Sequence, residues 1–290
     1  MNLSQFYARV LKFGSDRDPR KHIPKKNPFA DTAILYGGLS TEIRKILVGI
    51  DIDVADLLLA DKIRQQDGLD LVISHHPEGA GLAGLPAVMQ VHVDVLSKLG
   101  VSSKIAQELL DERQREVGRK ISPLNFQRAV DAAKLLKLPF MCIHTPADNH
   151  VYSFLTRLLN TLKPKRVQDI VDILMDIPEY QYAARYGSGP HVIVGEPSRR
   201  AGRIFVDMTG GTEGPKEVFD KIYKTGVRTL VCMHLSEEHF KKVKDTNLNA
   251  VIAGHIASDN LGLNLLLDRI EREDALKVFE CSGFRRVKRQ

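Results

Sequence analysis

Residues 70–82 read DLVISHHPEGAGL, a short apolar run that ends on two adjacent histidines. The branched residues Val72 and Ile73 favour a strand, and the proline and glycines beyond the histidines close it. Adjacent side chains on an extended segment point to opposite faces, whereas in a turn they can converge. His75 and His76 stand where strand gives way to turn, so the pair can serve one site.

The same rhythm runs outward in both directions. KILVGID (45–51) reads as a strand and VADLLLADKIRQQ (54–66) as a helix. PAVMQVHVDVLSKLG (86–100), SSKIAQELLDERQREVG (102–118) and SPLNFQRAVDAAKLLK (122–137) read as helices, the last with Pro123 in its first turn, and PFMCIH (139–144) as a strand. Helices follow at 151–162 and 166–174, then strands at 191–196 and 203–208. A helix at 214–226, a strand at 228–233, a helix at 236–245 and a strand at 249–254 come next, before a helix over 259–273 and a last strand at 275–281. This alternation predicts an α/β protein with largely parallel sheets.

At 290 residues, 43% hydrophobic and 27% charged, the chain has the composition of a soluble globular protein with room for two domains. No run reads as a membrane helix. The stretch MNLSQFYARVLKFGSDRDPR is interrupted by Arg9, Lys12 and Asp16 and lacks a signal-peptide core, so a cytoplasmic protein is expected. Cys142, Cys232 and Cys281 are odd in number with no C-x-x-C, which argues against a disulfide framework or zinc ribbon. Cys142 and Cys232 lie in apolar runs and read as small buried hydrophobes. The net charge of +6 is partly carried by RKHIPKK and RRVKRQ. Such patches attract nucleic acid or other polyanions. Solvated termini are the favoured reading of them, and 6% aromatics with no Trp leave no stacking platform, so nucleic acid is not favoured.

In open α/β sheets ligands gather at the carboxyl ends of strands. Three such ends carry imidazole and carboxylate: His75 and His76; HTPADNH with His144, Asp148 and His150; and HIASD with His255 and Asp259. Residues 255 and 259 share a helix face if the helix begins near His255. Imidazole with carboxylate suits zinc, iron or manganese. The five candidate donors His75, His76, Asp148, His255 and Asp259 exceed one tetrahedral site and suit two ions about 3.5–4 Å apart with a bridging carboxylate. His144 reads as an orienting or substrate-facing group. Glu78 is a second candidate base, or a solvated loop carboxylate. His150 reads as the start of a helix, His92, His191, His234 and His239 as structural, and His22 as exposed. DMTGGTEGPKE (207–217) lacks the Gly-Lys-Ser/Thr ending of a P-loop and reads as a tight turn, with Gly210, Gly211 and Gly214 the groups an anion would meet otherwise.

Together KILVGIDI, DLVISHHP, HTPADN and AGHIASD resemble the Nif-three-like dinuclear metal family, some of whose members are described as type 2 GTP cyclohydrolase I. The resemblance implies metal ligation by His75, His76, Asp148, His255 and Asp259, with two divalent ions (zinc, iron or manganese) per chain and His144 lining the cavity. The last ligand is usually Glu in the family. Asp259 is one methylene shorter, which changes the metal spacing or draws the backbone closer. Extra length around residues 90–120 implies an added helix. The implied architecture is two intertwined α/β domains, residues 1–150 with 251–290 and residues 151–250, with the metals in the cleft between them and the chains assembled as a toroidal hexamer. The implied activity is a metal-dependent hydrolase acting on a nucleotide or other small anionic substrate, with His144 and Glu78 as candidate acid–base residues. The rival reading is a non-enzymatic metal-binding scaffold or regulatory interaction protein, which the basic C-terminal tail also suits.

Overall fold

The computed structural model describes residues 1–289. Helix α1 (Leu3–Ser15) opens the chain, its first turn closed by reciprocal bonds between Asn2 and Gln5. Then come β1 (Ala33–Tyr36), β2 (Lys45–Gly49), α2 (Val54–Asp67), β3 (Leu71–Ser74), α3 (Gly79–Val88), α4 (Val91–Leu99), α5 (Ser103–Ile121), α6 (Arg128–Leu136) and β4 (Phe140–Cys142). The chain continues through α7 (Thr145–Leu162), α8 (Val167–Met175), α9 (Pro178–Ala184), β5 (His191–Val194), β6 (Arg203–Asp207) and α10 (Phe219–Lys224). It closes with β7 (Val227–Cys232), α11 (Glu237–Asp245), β8 (Asn249–Ile252), α12 (His255–Glu271) and β9 (Lys277–Glu280).

The strands form two sheets, ordered β1-β4-β3-β2-β9 and β5-β8-β7-β6. Each is parallel except for one antiparallel edge pair, β1–β4 in the first and β5–β8 in the second. The alternation expected for the chain thus gives the α/β fold with largely parallel sheets. Side chains alternate across each strand, so every sheet has two apolar faces to cover. Ile46, Val48, Leu71, Ile73 and Met141 pack under α1 and α12, while Leu47, Val72 and Phe140 pack under α2 and α6. In the second sheet Phe205, Leu230 and Ala250 pack with Val91, Val95 and Leu96 of α4. Val206, Val231 and Val251 pack with α7 and α8. The segment around 90–120 is therefore two helices, and the first of them covers a face of the second sheet.

Helices α7 and α12 belong to both halves. Ala147, Leu263, Leu266 and Leu267 join the core of the first sheet. Val151, Leu155, Ala257 and Leu261 join that of the second. Their close approach depends on Gly262, where a Cβ would stand 2.5 Å from the Ala147 carbonyl oxygen. Gly254, at φ 109°, makes the left-handed turn that carries β8 directly into α12.

Several boundaries differ from the sequence reading. Helix α7 begins at Thr145, with Pro146 in its first turn, so Asp148 and His150 lie on a helix and not in a loop. Helix α12 begins at His255, four residues early, which places His255 and Asp259 one turn apart. The helix read at 86–100 is broken at Met89 and Gln90, and α6 starts at Arg128, so Pro123 opens no helix. Only six residues of 214–226 form α10, behind a 3-10 turn. Helices α1 and α9 and strand β1 go beyond the sequence reading. Gly79–Leu99, 21 residues, is long and apolar enough by length and composition to match a membrane helix, contrary to the sequence reading. It is divided between α3 and α4, and half of it is buried within the protein.

An alanine at 262 tests the helix contact. In an open helix position Gly→Ala gains about 1 kcal/mol. Here the methyl has no room, so Gly262→Ala is expected to cost about 2 kcal/mol in denaturant unfolding. A neutral or stabilising result would show that the two helices are not in this contact.

Candidate metal centre

Paired parallel strands bring the first donors together. Ser74 of β3 is level with Cys142 of β4, so the chain leaves both strands at one edge, carrying His75 and His144 side by side with ring centres 5.0 Å apart. Asp148 comes from the first turns of α7, and His255 and Asp259 from the first turns of α12. His75 Nε2 lies 3.5 Å from Asp148 Oδ1 and 3.5 Å from Asp259 Oδ1. His76 Nε2 and His255 Nε2 lie 3.5 Å and 3.6 Å from Asp259 Oδ2. His144 Nε2 is 3.7 Å from Asp148 Oδ2. All five candidate ligands and His144 thus meet in one cluster.

The spacing fits a cation. Both Asp259 oxygens and His75 Nε2 are buried without a hydrogen-bond partner. Separations of 3.5–3.6 Å exceed a good hydrogen bond. Two donors each about 2.1 Å from one tetrahedral ion stand about 3.4 Å apart. The rings are also held from behind. His75 Nδ1 donates to the Ile143 carbonyl oxygen at 2.9 Å, His76 Nδ1 to Asp51 at 2.7 Å and His144 Nδ1 to Asp31 at 2.8 Å. Such bonds fix the tautomer and aim Nε2 at the metal in histidine–metal sites. Two trios, His75 with His76 and Asp259, and His75 with His144 and Asp148, each bring their donor atoms within 4.8 Å of one another. These clustered groups can hold a divalent metal ion.

Charge follows the same geometry. Burial would raise the Asp259 carboxyl, but the imidazoles of His75, His76 and His255 hold it well below the usual carboxylate range. Burial opposes a charge on His76, yet Asp259 and Asp51 carry its pKa up to about 10. Burial pushes Asp148 up to about 6, with His144 and His75 acting against the rise. Burial takes His255 down to about 4. A cation entering this cluster displaces the proton on His76, so loading releases protons.

The cluster faces a cavity of about 230 Å³ between the two sheets. Its far wall comes from the second sheet: Asp207 at the end of β6, Thr209, Glu213, His234 just beyond β7, and His239. Among the described residues no Lys or Arg lines it. Glu213 accepts from the Ser236 backbone N–H at 2.7 Å, and His239 Nε2 donates to the Gly214 carbonyl oxygen at 2.9 Å. Burial pushes Asp207 up to about 7, with His239 and His234 opposing. His234 and His239, read from sequence as structural, therefore line the cleft. The signal for His234 is the strand-end position that it shares with His75; His239, on α11, has no such signal. Asp31 and Asp51, which hold His144 and His76, also escape the sequence reading, although Asp51 closes the very strand KILVGID.

Glu78 is not brought to the cleft. It precedes α3 without a side-chain capping bond, and burial raises its carboxyl to about 7. The glycine-rich turn is filled by a side chain: a Cβ at Gly210 would stand 2.7 Å from His92 Nε2, which donates to the Thr212 carbonyl oxygen at 2.9 Å. His150 is buried, its Nδ1 donating to the Pro146 carbonyl oxygen at 2.8 Å. His22 and His191 are exposed.

Among solved structures, a NIF3 superfamily protein from Sphaerobacter thermophilus is similar at 28% identity and a TM-score of 0.78, over 95% of this chain and 98% of that one. Reduced HcgD from Methanocaldococcus jannaschii (12% identity, TM-score 0.56, 97% of each chain) and TTHA1606 from Thermus thermophilus (14%, 0.52, 97% of each chain) share the fold. No family model matches the chain, and no curated protein matches it.

Two measurements probe the cluster and its opposite wall. Chelation is expected to lower the melting temperature of the wild type by about 5 °C or more, because a ligand bound only to the folded state stabilises it. In Asp259→Asn the bound metal should fall and the chelator effect shrink; an unchanged wild-type melting point would contradict the metal reading. Asp207 has its folded pKa raised above its unfolded value, so its contribution to stability is full at low pH and lost as pH rises through about 7. Asp207→Asn should therefore be more stable than wild type by about 4 kcal/mol at pH 8.5 and nearly equal to it near pH 4. A pH-independent difference would contradict this.

Proposed function

We propose, from the premise that the chain is a NIF3-like protein, that it is a metal-dependent hydrolase whose divalent ions would be held by His75, His76, Asp148, His255 and Asp259. One observation carries the reading: each oxygen of this buried carboxylate has its own partners, Oδ1 facing His75, which also faces Asp148, and Oδ2 facing His76 and His255. His75, Asp148 and Asp259 would hold one ion, and His76, His255 and Asp259 the other. Bound ions of this kind supply Lewis acidity and a water that ionises near neutral pH.

The chain's own groups do the rest. Asp31 accepts from His144 Nδ1 at 2.8 Å and from Thr145 Oγ1 at 2.6 Å. It fixes the ring so that Nε2 faces the cleft, placed to hold or pass a proton. Glu78 lies outside the lining, so the acid–base role falls to His144. On the far wall Glu213 accepts a hydrogen bond from the Ser236 backbone N–H, and Asp207 offers a second carboxyl group. With no Lys or Arg in the lining among the described residues, the anionic part of a substrate belongs on the metal side and its amino or amide N–H groups on the far side. A nucleotide or another small compound with both features fits, and cyclohydrolase-like opening of a ring amide is within this reading. Assembly as a toroidal hexamer belongs to the same reading and is checked by the mass in solution.

The test is a panel of nucleotides, phosphoesters and cyclic amides offered to the metal-loaded protein. Turnover is expected, with kcat falling about 100-fold or more in His144→Asn while metal content is kept. Full metal occupancy without turnover on any of them would turn the assignment to the non-enzymatic scaffold.

A further inference from the structure

A second cavity, about 350 Å³ in volume, opens away from the cleft, along the later turns of α7 and α12. Its walls carry five arginines: Arg17 after α1, Arg157 on α7, Arg269 on α12, Arg272 just past its end, and Arg289 in the C-terminal tail. Arg269 is paired with Asp16 at 2.6 Å and Arg289 with Glu179 at 2.5 Å. Arg17, Arg157 and Arg272 make no ion pair among the described residues. The one carboxylate in the lining among the described residues, Asp268, is already bound to Arg286 at 2.6 Å. The pKa of Arg17 is lowered by burial and then by Arg157 and Arg269, as crowded cations require.

An independent observation comes from His150, which lines this cavity and is 4% exposed. Its Nδ1 must carry a proton, because its partner, the Pro146 carbonyl oxygen, can only accept. In the neutral ring Nε2 is then a lone pair, and it is buried with no partner. A buried acceptor beside unpaired guanidinium groups calls for a ligand that is anionic and also carries an O–H. The cavity suits a small molecule, and it is concave where a polymer would need an open track.

We propose that this pocket binds inorganic phosphate, with Arg17, Arg157 and Arg272 on its oxygens and the O–H of hydrogen phosphate donated to His150 Nε2. Guanidinium groups bind phosphate oxygens through charge-assisted, often bidentate hydrogen bonds. Sulfate, and a phosphomonoester once its second proton is lost at a pKa of about 6, have the charge but no O–H at neutral pH, so neither can satisfy His150.

Titration calorimetry of the metal-loaded protein at neutral pH, with inorganic phosphate, sulfate and glucose 6-phosphate as separate probes, tests this. Phosphate is expected to bind saturably, at least about tenfold tighter than sulfate or glucose 6-phosphate. Arg157→Ala/Arg272→Ala, and separately Arg17→Met, should weaken that binding about tenfold or more with metal content unchanged. No saturable binding of phosphate up to about 10 mM, binding that survives both variants, or equal affinity for sulfate or glucose 6-phosphate would each overturn the proposal.

Discussion

Burying the Asp259 carboxylate with neither oxygen hydrogen-bonded costs several kcal/mol unless positive charge stands against it. Three imidazole nitrogens approach it at 3.5–3.6 Å, too far to hydrogen-bond well and well placed to share a metal ion with it. The surrounding structure serves that arrangement. Two strands of one sheet end level, two helices begin beside them, and the rings of His75, His76 and His144 are each tied by Nδ1 to a backbone oxygen or a carboxylate.

The helices α7 and α12 explain how donors more than a hundred residues apart in sequence reach one point. They lie between the sheets, contribute to both cores, and are seated together at Gly262. Their first turns carry Asp148, His255 and Asp259, and their later turns build the arginine-lined cavity. The second sheet brings acceptors, not cations, to the opposite side of the cleft.

Much of this can be read from the chain. Strands such as LVIS and VRTLVC are apolar runs bounded by turn residues, and burial on both faces leaves no other reading. The histidine pair is legible because it interrupts such a run. Helix α1 is legible in principle, since Leu3, Phe6, Val10 and Phe13 follow a helical period and are all buried. Weighing that stretch only as a signal sequence hides the period. The start of α7 escapes because HTPADNH looks like a polar loop, and its burial comes from the α12 contact, which no local pattern shows. Asp31 reaches His144 across 113 positions, and Asp207, Glu213 and His234 meet the metal side only once the two sheets face each other. Long-range pairings of this kind leave no periodic trace.

Anomalous diffraction from crystals of the metal-loaded protein, collected at the absorption edge of the bound element, bears most directly on the role of Asp259. Two peaks are expected, one between Asp259 Oδ1, His75 and Asp148 and the other between Asp259 Oδ2, His76 and His255. No peak at either position in protein shown to carry metal, with Asp259 hydrogen-bonded to the histidines or to water instead, would contradict the account.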